Sequence, residues 1–314
     1  MTSHASKPRT IRLIGVPLDL GQSRRGVDMG PSALRIAGLT QMLTQMEFTV
    51  HDMGNVPVPQ RETLGAHRQG THHQGAHELE AITAVCQDLA LRTAEAIRLG
   101  EFPLVLGGDH SLGAGSVAGV ATAFAERGEK LGLIWLDAHS DFNTPETSLS
   151  GNVHGMPVAH LLGRGDRAMA TIANPSPAIS AEHLVFIGLR DVDVAERQAI
   201  AEQGVLAFTM RDIDERGLTA VVRDAIARAS NGTAGIYVSC DADWVDPSEA
   251  PGVGTPVKGG ATYREAHLAM EMLSDSGKVV GMDVVEINPV LDRRNQSAEL
   301  MVELVASALG KRTL

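Results

Sequence analysis

The sequence predicts an α/β protein of three layers, αβα, with a central, mainly parallel eight-stranded sheet. Three observations carry this. Short apolar runs alternate with longer Ala/Leu-rich stretches of helical period, the pattern of parallel strands joined by crossover helices. Several apolar runs close on Asp or His, and open α/β sheets build their sites beyond the carboxyl ends of strands. The 314 residues suffice for one large core, and no repeat or composition shift marks a boundary. A single domain over residues 1–314 is expected, with 1–9 as a flexible tail.

The elements follow in order. Residues 11–16 read as the first strand. Gly30-Pro31 opens a helix to residue 37, because proline suits the first helical turn. A strand over 49–52 precedes a stretch, 56–76, rich in Pro, Gly, Gln and His, which reads as a surface loop. A helix over 77–98 leads to a strand over 104–106, then a helix over 112–127 and the apolar strand 131–135. Residues 143–155 break the alternation, and long loops inside compact domains are usually functional. Helices over 157–162, 195–203, 218–229, 262–275 and 297–309 alternate with strands over 184–187, 206–209, 236–239 and 279–284.

The net charge of −11 gives no electrostatic case for nucleic acid or an anionic membrane, and suits a cationic substrate. Cys86 and Cys240 have neither the density of a disulfide scaffold nor zinc-site spacing, and read as buried thiols. On its strand Cys240 points away from the side chain of Asp241. The N-terminus has no apolar segment of a signal peptide, and no stretch reaches the roughly 18–20 apolar residues of a membrane span. A cytoplasmic protein is expected.

Chemistry concentrates at three strand ends. Asp137-Ala-His139-Ser-Asp141 follows Leu131-Gly-Leu-Ile-Trp135. On a strand these three side chains would share one face; in a loop they could converge on one point. Cys240-Asp241-Ala-Asp243 follows a second run, and Gly107-Gly-Asp-His110 a third. Each alone has an ordinary reading: a capped turn for Asp137 to Asp141, a cap by Asp109 before a helix, turn chemistry for Asp246-Pro247. Together they point to one metal site. Four carboxylates exceed the needs of one divalent ion, and two ions would balance them. Oxygen-rich ligation with imidazole fits manganese better than a soft-ligand metal. Two ions about 3.5–4 Å apart can acidify a shared water. His67, His72, His73 and His77 form no such set, since the carboxylates lie elsewhere.

Motifs along almost the whole chain resemble the ureohydrolases, and within them the arginases of bacteria. They include Arg25-Gly-Val-Asp-Met-Gly-Pro31, Gly107-Gly-Asp-His110-Ser, Asp137-Ala-His-Ser-Asp141 and Ser150-Gly-Asn-Val-His154-Gly. Gly188-Leu-Arg-Asp-Val-Asp193, Ser239-Cys-Asp-Ala-Asp243, Gly252-Val-Gly-Thr255 and Asp283-Val-Val-Glu286-Ile-Asn-Pro289 complete the set. The resemblance implies two Mn2+ ions per subunit. His110, Asp137, Asp141 and Asp241 would hold one, and Asp137, His139, Asp241 and Asp243 the other. It implies hydrolysis of L-arginine to L-ornithine and urea by a metal-bridging hydroxide. Asp141 would relay the proton to the leaving nitrogen, His154 would shuttle protons, and Glu286 would hold the guanidinium. Asn143, Ser150 and Asn152 would meet the α-carboxylate, Asp193 the α-ammonium, and Thr255 would line the site. A homotrimer or homohexamer is implied as well. The alternatives are a relative acting on agmatine, a guanidino acid or hydroxyarginine, and a non-catalytic metal binder on the same fold.

Overall fold

The computed structural model describes residues 10–64 and 75–312. All eight expected strands form, most of them extended by a residue or more. They are β1 (Thr10–Val16), β2 (Thr49–Asn55), β3 (Phe102–Gly107), β4 (Leu131–Leu136), β5 (Leu184–Leu189), β6 (Leu206–Thr209), β7 (Gly235–Asp241) and β8 (Val279–Val285). They build one sheet in the order β2-β1-β3-β8-β7-β4-β5-β6, and every pairing is parallel. Strands β3, β4, β5 and β7 are buried along their whole length, which is why they read as unbroken apolar runs. The edge strand β2 is exposed over most of its length and carries His51, Asp52 and Asn55.

The helices are α1 (Gly30–Ile36), α2 (Leu39–Gln45), α3 (Leu79–Arg98), α4 (Gly113–Ala125), α5 (Pro157–Leu161), α6 (Arg167–Ala170), α7 (Val194–Gln203), α8 (Met210–Arg216), α9 (Leu218–Ala229), α10 (Tyr263–Ser276) and α11 (Gln296–Ala308). Strand alternation splits the core in two. Ile134, Leu136, Val238 and Met282 pack with α1, α2, α9, α10 and α11 on one face. Leu133, Trp135, Phe186 and Tyr237, with Ile14 and Val105, pack against α3, α4, α5 and α7 on the other. Cys240 belongs to the first face, turned away from the Asp241 carboxylate as expected.

Three helices escape the sequence reading: α2, α6 and α8. Each is seven residues or fewer and buries one or two side chains, so its period is too short to see. The expected tail over residues 1–9 lies outside the described residues, as do His67, His72 and His73. His77 is described; its ring nitrogen lies 3.0 Å from the Ser150 carbonyl and its backbone N–H donates to Gly151. These contacts brace the 148–152 turn.

Candidate metal centre and substrate cleft

Four neighbouring strands, β3, β8, β7 and β4, form the middle of the sheet, and the site sits beyond their carboxyl ends. Chain order reverses there, the position where open α/β sheets leave a crevice. Past β3, Asp109 caps a short turn by accepting from the Ser111 N–H, and His110 follows. Thus Asp109 caps as expected, and the cap leaves the His110 side chain free to face the other strand ends. Strand β4 ends at Leu136, so Asp137, His139 and Asp141 leave on a loop and converge. Strand β7 runs to Asp241, whose carboxylate accepts from the Asp243 N–H at 2.7 Å and aims the next turn.

His110 is the hub of one group. Its Nδ1 lies 3.1 Å from an oxygen of each of Asp137, Asp141 and Asp241. His139 is the hub of a second, with Nδ1 3.1 Å from Asp243 and 3.4 Å from Asp137. Asp137 turns Oδ2 to His110 and Oδ1 to His139, so it spans both groups. Backbone and ring donors hold it there: the Trp135 Nε1–H donates to Oδ2 at 3.0 Å and the His139 N–H to Oδ1 at 2.6 Å. The donors of His110, Asp137 and Asp141, and those of Asp137, His139 and Asp243, each gather within 4.8 Å.

This donor set fits divalent cations. Asp141 Oδ2 is buried and accepts no hydrogen bond, and burying an unpaired carboxylate is costly unless a cation meets it. Burial and the neighbouring Asp137 push Asp141 up to about 7. Burial, Asp243 and Asp137 push Asp241 well above the usual carboxylate range. Crowded carboxylates resist ionising together, and cations remove that repulsion. Asp141 also sits at φ 50 and Glu286 at φ 64, the left-handed region. Non-glycine residues there cost of order 1–3 kcal/mol and cluster at functional sites.

Glu286, one residue beyond β8, is buried at the floor of the site. Its Oε1 accepts from the His110 N–H at 2.9 Å and lies 3.0 Å from His154 Nδ1. Its Oε2 accepts from Gln22 Nε2 at 2.8 Å. Burial alone would lower the His154 pKa, but Glu286, joined by Asp141 and Asp109, raises it to about 9. A cleft of about 400 Å³ opens above, lined by His139, His154, Asn152 and Thr255 among others. The Thr255 hydroxyl donates to Asp243 Oδ2 at 3.1 Å.

The other expected contacts are arranged less directly. Asn143 donates from Nδ2 to Asp193 Oδ2 at 2.9 Å. Asp193 is also the N-cap of α7, in a reciprocal pair with Glu196. Ser150 is exposed, accepts from the Asn152 N–H at 3.2 Å, and does not line the cleft. Sequence reading missed Gln22, Ser23, Arg24 and Asp191, which do. Ser23 donates to Asn152 Oδ1 at 3.1 Å and Arg24 to the Gly254 carbonyl at 2.8 Å. The signal for Gln22, Ser23 and Arg24 was adjacency to the Arg25-to-Pro31 motif, and that for Asp191 its place inside the Gly188-to-Asp193 motif.

The sequence model of the Arginase family matches residues 9–310. An arginase of Bacillus caldovelox is 46% identical over 306 residues, 98% of this chain and 100% of the relative. Its native structure superposes with a TM-score of 0.92 over 98% of this chain and 100% of its own. An arginase of Bacillus subtilis strain 168 is 45% identical over 98% of this chain and 99% of the relative. The structure of an Entamoeba histolytica arginase in complex with L-ornithine is 30% identical, with a TM-score of 0.87 over 97% of this chain and 100% of its own. Matched over nearly its whole length by the family and by these relatives, the chain belongs to the arginase family.

Proposed function

We propose that this hydrolase cleaves L-arginine to L-ornithine and urea at a binuclear manganese centre, as a single domain over residues 1–314. The observation that carries it is the placing of Glu286, an acceptor for a guanidinium, beside two histidine–carboxylate groups in one buried crevice. His110, Asp137, Asp141 and Asp241 would hold one ion, and Asp137, His139, Asp241 and Asp243 the other. Such ions, when bound, supply the charge that acidifies a water near neutral pH.

The chain's own residues do the rest. Glu286 binds the guanidinium, because a planar cation and a carboxylate match in geometry as well as charge. Both accepting positions of Oε1 are taken, by the His110 N–H and by His154, and one of Oε2 by Gln22. A guanidinium spanning both oxygens therefore competes with the His154 imidazole. The displaced ring is then free to exchange protons with water. Water oxygen joins the guanidino carbon, the bond to the ornithine nitrogen breaks, and that nitrogen needs a proton. Asp141 relays it, and His154 restores the balance with solvent. Asn152 meets the α-carboxylate from the cleft wall, Asn143 and Ser150 would join it only by turning from Asp193 and from the exposed side of the loop, Asp193 would take the α-ammonium, and Thr255 shapes the wall over Asp243. The L-ornithine in the Entamoeba histolytica arginase structure supports an amino-acid product.

A cytoplasmic homotrimer or homohexamer belongs to the same proposal. Among the described residues no helix is long and apolar enough to cross a membrane. The test is steady-state kinetics on arginine, agmatine and guanidinobutyrate, after exhaustive chelation and after manganese add-back. Urea release is expected only with manganese, and best from arginine. Full activity with no detectable divalent ion overturns the metal reading; a preference for agmatine overturns the choice of substrate.

A further inference from the structure

Asp283 lies two side chains behind the metal centre, in the middle of β8 and wholly inaccessible to solvent. Its two oxygens are held by two serines from different elements. Ser239 on β7 donates to Oδ1 at 2.6 Å, and Ser116 on α4 donates to Oδ2 at 2.6 Å. Contacts this short are in the range of hydroxyls that donate to a carboxylate. A serine hydroxyl has one proton. Ser239 spends it on Asp283, so toward His110 Nε2, 2.8 Å away, its oxygen can only accept. Whenever the ring is neutral, Nε2 must then carry its hydrogen, which leaves Nδ1, the nitrogen facing Asp137, Asp141 and Asp241, as the one a divalent cation can take. Stacking on Trp135, at 4.1 Å between centroids and 7° between planes, fixes the ring's tilt. It cannot choose the tautomer.

We infer that Asp283 is a positioning residue that sets the His110 tautomer through Ser239, and so keeps Nδ1 ready for a divalent cation. The inference rests on the metal centre proposed above. Without the carboxylate the Ser239 hydroxyl can turn its proton toward Nε2, and the hydrogen moves to Nδ1, which then cannot ligate. Partners behind a ligating histidine typically govern 10–100-fold in metal affinity. Among the described residues His139 has no equivalent chain: its Nε2 lies 3.9 Å from the exposed Asp191. The protein therefore carries its own comparison, one histidine locked from behind and one open to solvent.

The test is a titration of manganese alone into chelator-stripped protein, with free Mn2+ followed by its electron paramagnetic resonance signal. Wild type, Asp283→Asn, Ser239→Ala and Ser116→Ala are compared. Wild type is expected to hold two ions. Asp283→Asn and Ser239→Ala are each expected to weaken one ion by roughly 10–100-fold and leave the other in place. Ser116→Ala takes as many bonds from Asp283 as Ser239→Ala but none from His110, so its effect is expected to be the smallest. Should Asp283→Asn fail to fold, Ser239→Ala, which removes only a hydroxyl, decides alone. Two ions in wild type with unchanged affinities in the variants, or equal weakening of both ions, overturns the inference and leaves the binuclear reading standing. A wild type that holds no second ion overturns that reading, and this inference falls with it.

Discussion

Asp141 concentrates the site's demands on one residue: a left-handed backbone, full burial and an oxygen with no hydrogen bond. Asp141→Asn keeps the shape and removes both a charged ligand and the proposed relay. With Glu286 untouched, kcat should fall about 10²–10⁴-fold, the usual range for acid–base groups, while KM changes little. Kinetics on samples of verified manganese content check this; near-normal turnover with both ions bound would rule out the relay. Asn152 tests the substrate's other end. Its Oδ1 is occupied by the Ser23 hydroxyl, which leaves Nδ2 to donate into the cleft. A hydrogen bond to a charged group is worth about 1.5–3 kcal/mol. Asn152→Ala should thus cost arginine roughly one to two decades in kcat/KM, and agmatine much less. Equal losses on both would mean that Asn152 only holds the loop. At this scale the sequence was legible where residue type itself is chemical. Six candidate ligands stood out because Asp and His cluster where three apolar runs end, whereas Glu286 was read only through the family resemblance. Gln22, Ser239 and Asp283 did not, because a Gln in a loop or a Ser within a strand gains meaning only from what the fold sets opposite it.

Elements were legible in proportion to how much they bury. Seven buried or half-buried strands announced themselves, and the exposed edge strand β2 was read only over its first four residues; α2, α6 and α8 were not seen. Strand β4 ended one residue later than expected, and that residue decides the geometry. Leu136 completes the strand, so Asp137 begins a loop and the carboxylates converge instead of lining a sheet face. Helix α5 carries a different signal, His160. It is buried, neither ring nitrogen has a hydrogen-bond partner, and burial lowers its pKa from 6.5 to about 4 despite Asp166 and Glu146 nearby. The unfolded chain therefore binds a proton between these values that the folded chain refuses. The stabilising effect is complete above pH 6.5 and is lost as pH falls toward about 4. At 1.36 kcal/mol per unit this costs about 2–3 kcal/mol by pH 4.5. Denaturant unfolding of wild type and His160→Leu at pH 7.5 and 4.5, both in chelator, reads it. The variant's stability should gain on wild type by that amount at the lower pH; an unchanged gap would mean that other groups set the acid limit.

On the scale of the whole molecule, the site is a concentration of like charge at the centre of a sheet in a chain already at net −11. A fold can carry this burden if cations bind the folded state and not the unfolded one. Each ion then adds RT ln(1 + [L]/Kd), about 2.7 kcal/mol at a hundredfold excess over Kd, so stripping both should cost about 5 kcal/mol. Chelation should lower Tm by several degrees and manganese should restore it. The sharper consequence is a change of sign. Asp241 is pushed well above the usual carboxylate range by burial, Asp243 and Asp137. A carboxylate whose pKa is raised in the fold adds no penalty below its unfolded value and the full penalty above its folded one. Asp241→Asn removes that penalty and, by the assignment proposed here, a ligand of both ions. At pH 8 the stripped variant should therefore melt above the stripped wild type, while the manganese-loaded variant melts below the loaded wild type. Four melting curves, two proteins with and without manganese, decide it. If Asp241→Asn lowers Tm by the same amount in both states, the carboxylate cluster is ordinary packing, and stability was not set aside to hold metal.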